Sequence, residues 1–141
     1  MTDELQIRSL IERWVRAVDR GELADVLADR TDDVVMFDVP PPDDGVRGSA
    51  AYRAVWPPFL DWQRNGGRFE LVALDVTSGR DVAFAHALLR CGTDTELAAA
   101  PQRRLRITFG LRNEGGRWLV AHEHHSFPLE SEGGDVGAEA A

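Results

Sequence analysis

Arg117-Trp118-Leu119-Val120-Ala121-His122-Glu123-His124-His125-Ser126-Phe127-Pro128 holds three of the four histidines of the chain. Read as a strand, it alternates its side chains between two faces. Trp118, Val120, His122, His124 and Ser126 then share one face, and Leu119, Ala121, Glu123, His125 and Phe127 share the other. Two imidazoles beside a tryptophan either line a pocket or are structural groups bonded to carboxylates or backbone. His125, beside Glu123 and Phe127, reads as surface or interface.

Upstream, Asn113-Glu114-Gly115-Gly116 is a hairpin turn that follows a strand over 103–112. The face of that strand that meets His122 depends on the loop length, because one residue flips the parity. A three-residue loop puts Arg106 and Thr108 beside His122, and an even loop puts Ile107 there. Two more strands precede, over 69–77 and 82–92, with Ser78-Gly79-Arg80-Asp81 as the turn and a looser piece over 93–102. Short connections favour an antiparallel meander.

The first half is helical. Residues 3–20 place Leu5, Ile7, Leu10, Ile11, Trp14, Val15 and Val18 at helical spacing, and Gly21 ends the run. Residues 22–30 read as a short second helix, 31–33 as a turn and 34–39 as a strand. That strand runs into Pro40-Pro41-Pro42-Asp43-Asp44-Gly45, which suits neither a helix nor a central strand. A third helix begins at Gly48-Ser49 and carries Tyr52, Val55, Trp56, Phe59 and Leu60. Pro57-Pro58 is expected to kink or split it. The order predicts an α+β fold: a curved, mostly antiparallel sheet with about three N-terminal helices on its concave face, leaving a cone with an open end.

At 141 residues the chain reads as one domain over 1–128 with a flexible acidic tail over 129–141. A net charge of −8 argues against nucleic acid and anionic membranes as partners. The single cysteine, Cys91, forms no internal disulfide. The first residues lack the basic-then-apolar pattern of a signal peptide, so a cytoplasmic protein is expected.

The pattern resembles the NTF2-like superfamily of ketosteroid isomerase, scytalone dehydratase and the SnoaL-type polyketide cyclases. The marks are Trp14-Val15-Arg16-Ala17-Val18-Asp19-Arg20-Gly21-Glu22-Leu23, Val34-Val35-Met36-Phe37-Asp38, Val46-Arg47-Gly48 and the ending 115–126, which looks like the SnoaL-like, DUF4440-type branch. The resemblance implies the cone fold, a small apolar organic ligand, no cofactor and a homodimer formed by the sheet face away from the helices. Phe127, Leu119 and His125 are candidates for that patch. Beside ketosteroid isomerase, Asp38 falls on the general base. The tyrosine of that family's oxyanion hole falls on Trp14 and its acid falls near Thr108, so the hole as that family builds it is not reproduced.

Asp38, His122 and His124 are therefore the candidate catalytic residues, for proton transfer next to a carbonyl in an isomerisation, cyclisation or dehydration. Trp14, Trp56, Phe59, His86, Arg106, Thr108, Trp118 and Ser126 are the candidate ligand-binding residues. Arg106, Thr108, His122 and Ser126 look like part of the branch pattern, which favours a polar pocket wall. His86, between Phe84 and Leu88, reads first as a core histidine. Two readings compete with an acid–base enzyme: a non-catalytic binding or dimerisation module, and a metal enzyme in which His122-x-His124 is completed by His86 or Asp38. No metal is expected.

Overall fold

The computed structural model describes residues 2–129, so the tail expected over 129–141 lies, apart from Leu129, outside the described residues. Helix α1 (Asp3–Arg20) starts where the Thr2 hydroxyl accepts the Leu5 N–H and stops at Gly21, whose φ of 73° is left-handed. Its buried stripe is Ile7, Leu10, Ile11, Trp14, Val15, Ala17 and Val18. Helix α2 (Leu23–Leu27) is shorter than the expected 22–30. Strand β1 (Arg30–Phe37) starts correspondingly early, so Thr31-Asp32-Asp33 is strand and not turn. Strand β2 (Val46–Arg47) leads into α3 (Ser49–Arg64), and then follow β3 (Gly67–Ser78), β4 (Val82–Thr93), α4 (Asp94–Ala99), β5 (Leu105–Glu114) and β6 (Arg117–Ser126).

Two expectations are corrected here. The looser piece after β4 contains a fourth helix, started by a capping box in which Thr93 and Glu96 exchange side-chain-to-backbone bonds. Helix α3 runs unbroken through Pro57 and Pro58. Each proline removes one intrahelical N–H, but the buried face of Tyr52, Trp56, Leu60 and Gln63 holds both halves on the sheet.

The six strands lie in the order β2-β1-β6-β5-β4-β3. All neighbours are antiparallel except β1 and β6, which run parallel. The helices cover one face of this curved sheet, as the α+β cone requires. Trp14 is the hub of the core. Its ring meets Trp56, Phe69 and Phe109 edge-on, with centroids 5.9, 5.6 and 5.5 Å away. Among the described residues no helix is long and apolar enough to cross a membrane.

The β5–β6 register decides which side chains face the helices. The turn is the two-residue kind: Glu114 pairs with Arg117, and Gly115 and Gly116 both take positive φ. An even loop alone would set Ile107 beside His122. A β-bulge intervenes, because Leu111 pairs with Val120 while Gly110 pairs with His122, leaving Ala121 as the extra residue. Beyond it the parity is reversed. Trp118, Val120, Glu123 and His125 are buried on the helix side, while His122 and His124 turn to the other side. The single face of Trp118, His122 and His124 expected from strict alternation is therefore corrected. Arg106 and Thr108 do stand beside Ser126 and His124, as the polar reading expects, but on the face away from the helices.

Because Trp14 fills the centre, Trp14→Ala is expected to destabilise the fold by about 3–5 kcal/mol. Urea denaturation checks this, and a midpoint unchanged from wild type would contradict the hub role.

Candidate active site

A cavity of about 590 Å³ opens between α3, the loop after β1, and the ends of β4, β5 and β6. Its wall is largely apolar, with Trp56, Phe59, Trp62, Phe69 and Phe127 contributing rings. Five ionisable side chains also line it: Asp38, Cys91, Glu96, Arg103 and His125.

Asp38 stands one residue beyond β1, where the strand gives way to the proline-rich loop. Its Oδ1 accepts the Val39 N–H at 2.8 Å and lies 3.5 Å from Nδ1 of His125. The other ring nitrogen of His125, Nε2, is 2.9 Å from Oε1 of Glu123. A carboxylate only accepts hydrogen bonds, so Nε2 carries the hydrogen and Nδ1 is the atom turned toward Asp38.

Glu123 has no exposed side-chain surface. Its Oε2 accepts Nη2–H of Arg30 at 2.7 Å, Nε–H of Arg30 at 3.1 Å and the Tyr52 hydroxyl at 2.6 Å. Burial by itself pushes this carboxyl up. The Arg30 charge, the His125 bond and charge and the Tyr52 hydroxyl outweigh burial and hold the carboxyl down at about 2. Burial raises the Tyr52 phenol, which stays a neutral donor. Desolvation opposes the Arg30 charge, but Tyr52 and Glu123 outweigh it and the guanidinium is raised. Its Cζ sits 5.1 Å from the Trp14 ring centroid. The result is a hydrogen-bonded chain running from Arg30 and Tyr52 to Glu123 and then to His125, whose Nδ1 lies 3.5 Å from Asp38 at the cavity wall. Cys91 also lines the cavity, but burial and then Glu96 push its thiol up to about 12, so it is not a thiolate nucleophile at neutral pH.

Of the residues expected from sequence, Asp38, Trp56 and Phe59 meet at this cavity. The others do not line it. Trp14 is buried behind it in the core. Trp118 is buried near the start of β6, donating Nε1–H to Asp3 at 3.2 Å. On the open face of the sheet, His122 Nδ1 lies 2.7 Å from the Val35 carbonyl, and His122 and His124 flank Phe37 with ring centroids 5.1 and 5.5 Å away. Arg106 donates to Ser126 at 3.2 Å on that same face. Thr108 and His86 are neighbours there, and His86 is an exposed residue 3.8 Å from Asp75, not a core histidine. The imidazole that reaches the cavity is His125, and Phe127 joins it there instead of forming an outer patch.

Among the described residues no three His, Cys, Asp or Glu side chains come together as a metal site would need. The pair His122 and His124 gains no third ligand from His86 or Asp38.

Arg30, Tyr52, Glu123 and His125 were the residues missed. The available signal was a glutamate two residues before a histidine in one strand, with a tyrosine on the apolar face of the third helix. Its meaning depended on the bulge.

The Glu123 carboxyl is lower in the folded chain than the ordinary value near 4.5. Its stabilisation is therefore fully present above about pH 4.5 and is lost as pH falls toward about 2. Stability measured by urea denaturation is expected to fall over that window. Glu123→Gln should be destabilised at pH 7 by about 3–5 kcal/mol, because Arg30 is left buried without its counter-charge. The variant should also show a shallower acid slope; an identical slope would exclude Glu123 as its source.

The SnoaL-like domain model matches residues 7–130. No curated protein matches the chain. An NTF2-like protein of unknown function from Pseudomonas putida is 38% identical, covering 92% of this chain and 89% of its own, with a TM-score of 0.80. A "putative ketosteroid isomerase" from Shewanella frigidimarina is 16% identical, over 84% of this chain and 92% of its own, with a TM-score of 0.65. A "putative dehydratase from the NTF2-like family" of Streptomyces avermitilis is 15% identical, over 91% of this chain and 97% of its own, with a TM-score of 0.69. The two distant structures share the fold. With its cone, its match to the family model over most of the chain and its 38% identical relative, the chain belongs to the SnoaL-like family of the NTF2-like superfamily.

Proposed function

We propose that this protein is a cofactor-free acid–base enzyme that moves a proton next to the carbonyl of a small apolar organic molecule, with Asp38 and His125 as the reacting pair. The observation that carries this reading is the 3.5 Å approach of Asp38 Oδ1 to His125 Nδ1 on the wall of an apolar cavity. Glu123, itself held by Arg30 and Tyr52, fixes the ring of His125. The same fixing is what a catalytic base requires, because it sets one tautomer and one orientation.

In the reaction, the Asp38 carboxylate takes the proton from the carbon beside the carbonyl. The C–H electron pair forms a carbon–carbon double bond and the carbonyl π pair moves onto the oxygen, giving an enolate. The proton then returns to another carbon in an isomerisation. In a dehydration, it goes through His125 to a departing hydroxyl, which leaves as water. The names of the ketosteroid isomerase-like and dehydratase-like neighbours agree with this class of chemistry, and the identity of the substrate lies beyond them.

The test needs no native substrate. In heavy water the protein is expected to accelerate exchange of the α-hydrogens of 2-tetralone, followed by proton NMR. Asp38→Asn should lower that rate by about 100-fold or more, and His125→Gln by a comparable factor. Exchange at the buffer rate in the wild type, or an undiminished rate in Asp38→Asn, would refute the proposal.

A homodimer through the open sheet face belongs to the same proposal. Val82, Phe84 and Leu88 are exposed there on β4, beside the strip of Phe37, His122 and His124. Buried apolar area of this kind drives association. Light scattering is expected to give twice the chain mass, and Phe84→Asp to give the single-chain mass with the cavity intact. A wild-type monomer at high concentration would rule the dimer out.

A further inference from the structure

We infer that the Arg103 guanidinium anchors a carboxylate of the ligand, so that the substrate is an apolar acid whose carboxylate lies apart from the carbon that Asp38 deprotonates. The inference rests on the acid–base reading of this cavity and names the substrate class for it. Among the described residues that line the cavity, Arg103 is the only arginine or lysine. The chain as a whole carries a net charge of −8, so a cation on this apolar wall does not follow from a basic composition. The Arg103 guanidinium carbon stands 3.9 Å from the ring centroid of Phe127, which lines the same cavity. That contact holds the guanidinium over the ring, and its N–H groups point outward in its own plane.

The chemistry of the group selects its partner. A guanidinium carries five N–H donors, so contacts within the chain do not exhaust it, and two parallel N–H groups match the two oxygens of a carboxylate. The charge is felt on the cavity wall. Burial and then Glu96 push the Cys91 thiol up, Arg103 pulls it down and Asp38 pushes it up, so this thiol lies in the field of both side chains. Glu96, the other carboxylate on the wall, accepts the Thr93 N–H at 2.9 Å in the capping box of α4. Asp38 follows β1 and Arg103 precedes β5, with β6 between those strands. A ligand carboxylate is attracted at Arg103 and repelled at Asp38, which orients the molecule before any proton moves. Its anion then lies at Arg103, its apolar body against the ring-lined wall, and its reacting carbon at Asp38 and His125.

The experiment compares 1-naphthylacetate with 1-naphthylacetamide, which keeps the rings and replaces the carboxylate by a neutral amide. Binding to the full chain at neutral pH is followed by isothermal titration calorimetry. The wild type is expected to bind the acid roughly tenfold or more tightly than the amide. Arg103→Gln should abolish that preference and keep the affinity for the amide. Arg104→Gln is the control for net charge, because Arg104 donates to the Pro101 and Arg103 carbonyls and does not line the cavity. It should keep the preference. Equal affinities in the wild type, a preference that survives Arg103→Gln, or one that falls equally in Arg104→Gln overturns the inference, as does failure of the acid to bind. The wild-type comparison stands even where a variant does not fold. The two readings also fail separately: α-hydrogen exchange in 2-tetralone without the preference for the acid removes the anchor and keeps the reaction. The preference without exchange does the reverse.

Discussion

A carboxylate with no exposed surface sits on the helix side of the sheet, and much of this molecule is arranged to make that tolerable. Burial alone would drive Glu123 toward its neutral form. Arg30 from β1, Tyr52 from α3 and His125 from β6 supply four donors to its two oxygens and keep it charged. Each partner comes from a separate piece of chain, so the ion pair fixes how α3 sits on β1 and β6. A buried pair of this kind is seldom retained for stability, since apolar residues of similar volume do as well or better. Here it has a consequence at the cavity: the outer nitrogen of His125 is presented to Asp38 in one orientation.

Trp14 connects this polar cluster to the apolar core. Its ring lies against the Arg30 guanidinium on one side and against Trp56, Phe69 and Phe109 on others. The helix that carries it thus packs the sheet and shields the ion pair from water, which strengthens every interaction in the cluster. The cavity begins where that packing ends, at Trp56 and Phe59. Rigid aromatic walls and a fixed imidazole arise from the same set of contacts.

Ala121 has the opposite character, a small residue with a large effect on which side chains reach the cavity. As the bulge residue of β6, it reverses the facing of everything that follows. With strict alternation, His122 and His124 would look toward the helices, and Glu123 would face outward. With the bulge, the glutamate and His125 point in and the other two histidines flank Phe37 on the open face. The two faces of one strand thereby acquire different tasks. One completes a hydrogen-bonded chain, and the other contributes to an apolar and imidazole-rich outer surface.

The helical spacing of Ile7 to Val18, the β-branched run ending at Asp38 and the Gly115-Gly116 turn determined the α+β cone from sequence alone. Each of those patterns is local, and each is read by a neighbour three, four or two residues away. The place of Asp38 at the cavity was also legible, because the resemblance sets it at the end of the first strand, where the family's base falls. Its partner was not. Choosing between His122, His124 and His125 required knowing where one extra residue sits in the β5–β6 ladder, and a bulge is set by packing across strands and not by its own side chain. Arg30 was hidden for a related reason: it reads as the end of a short helix until β1 pairs with β6 and carries it beneath the sheet to Glu123, 93 residues along the chain. Periodicity determined the elements; only the tertiary pairing decided which face of each lines the cavity.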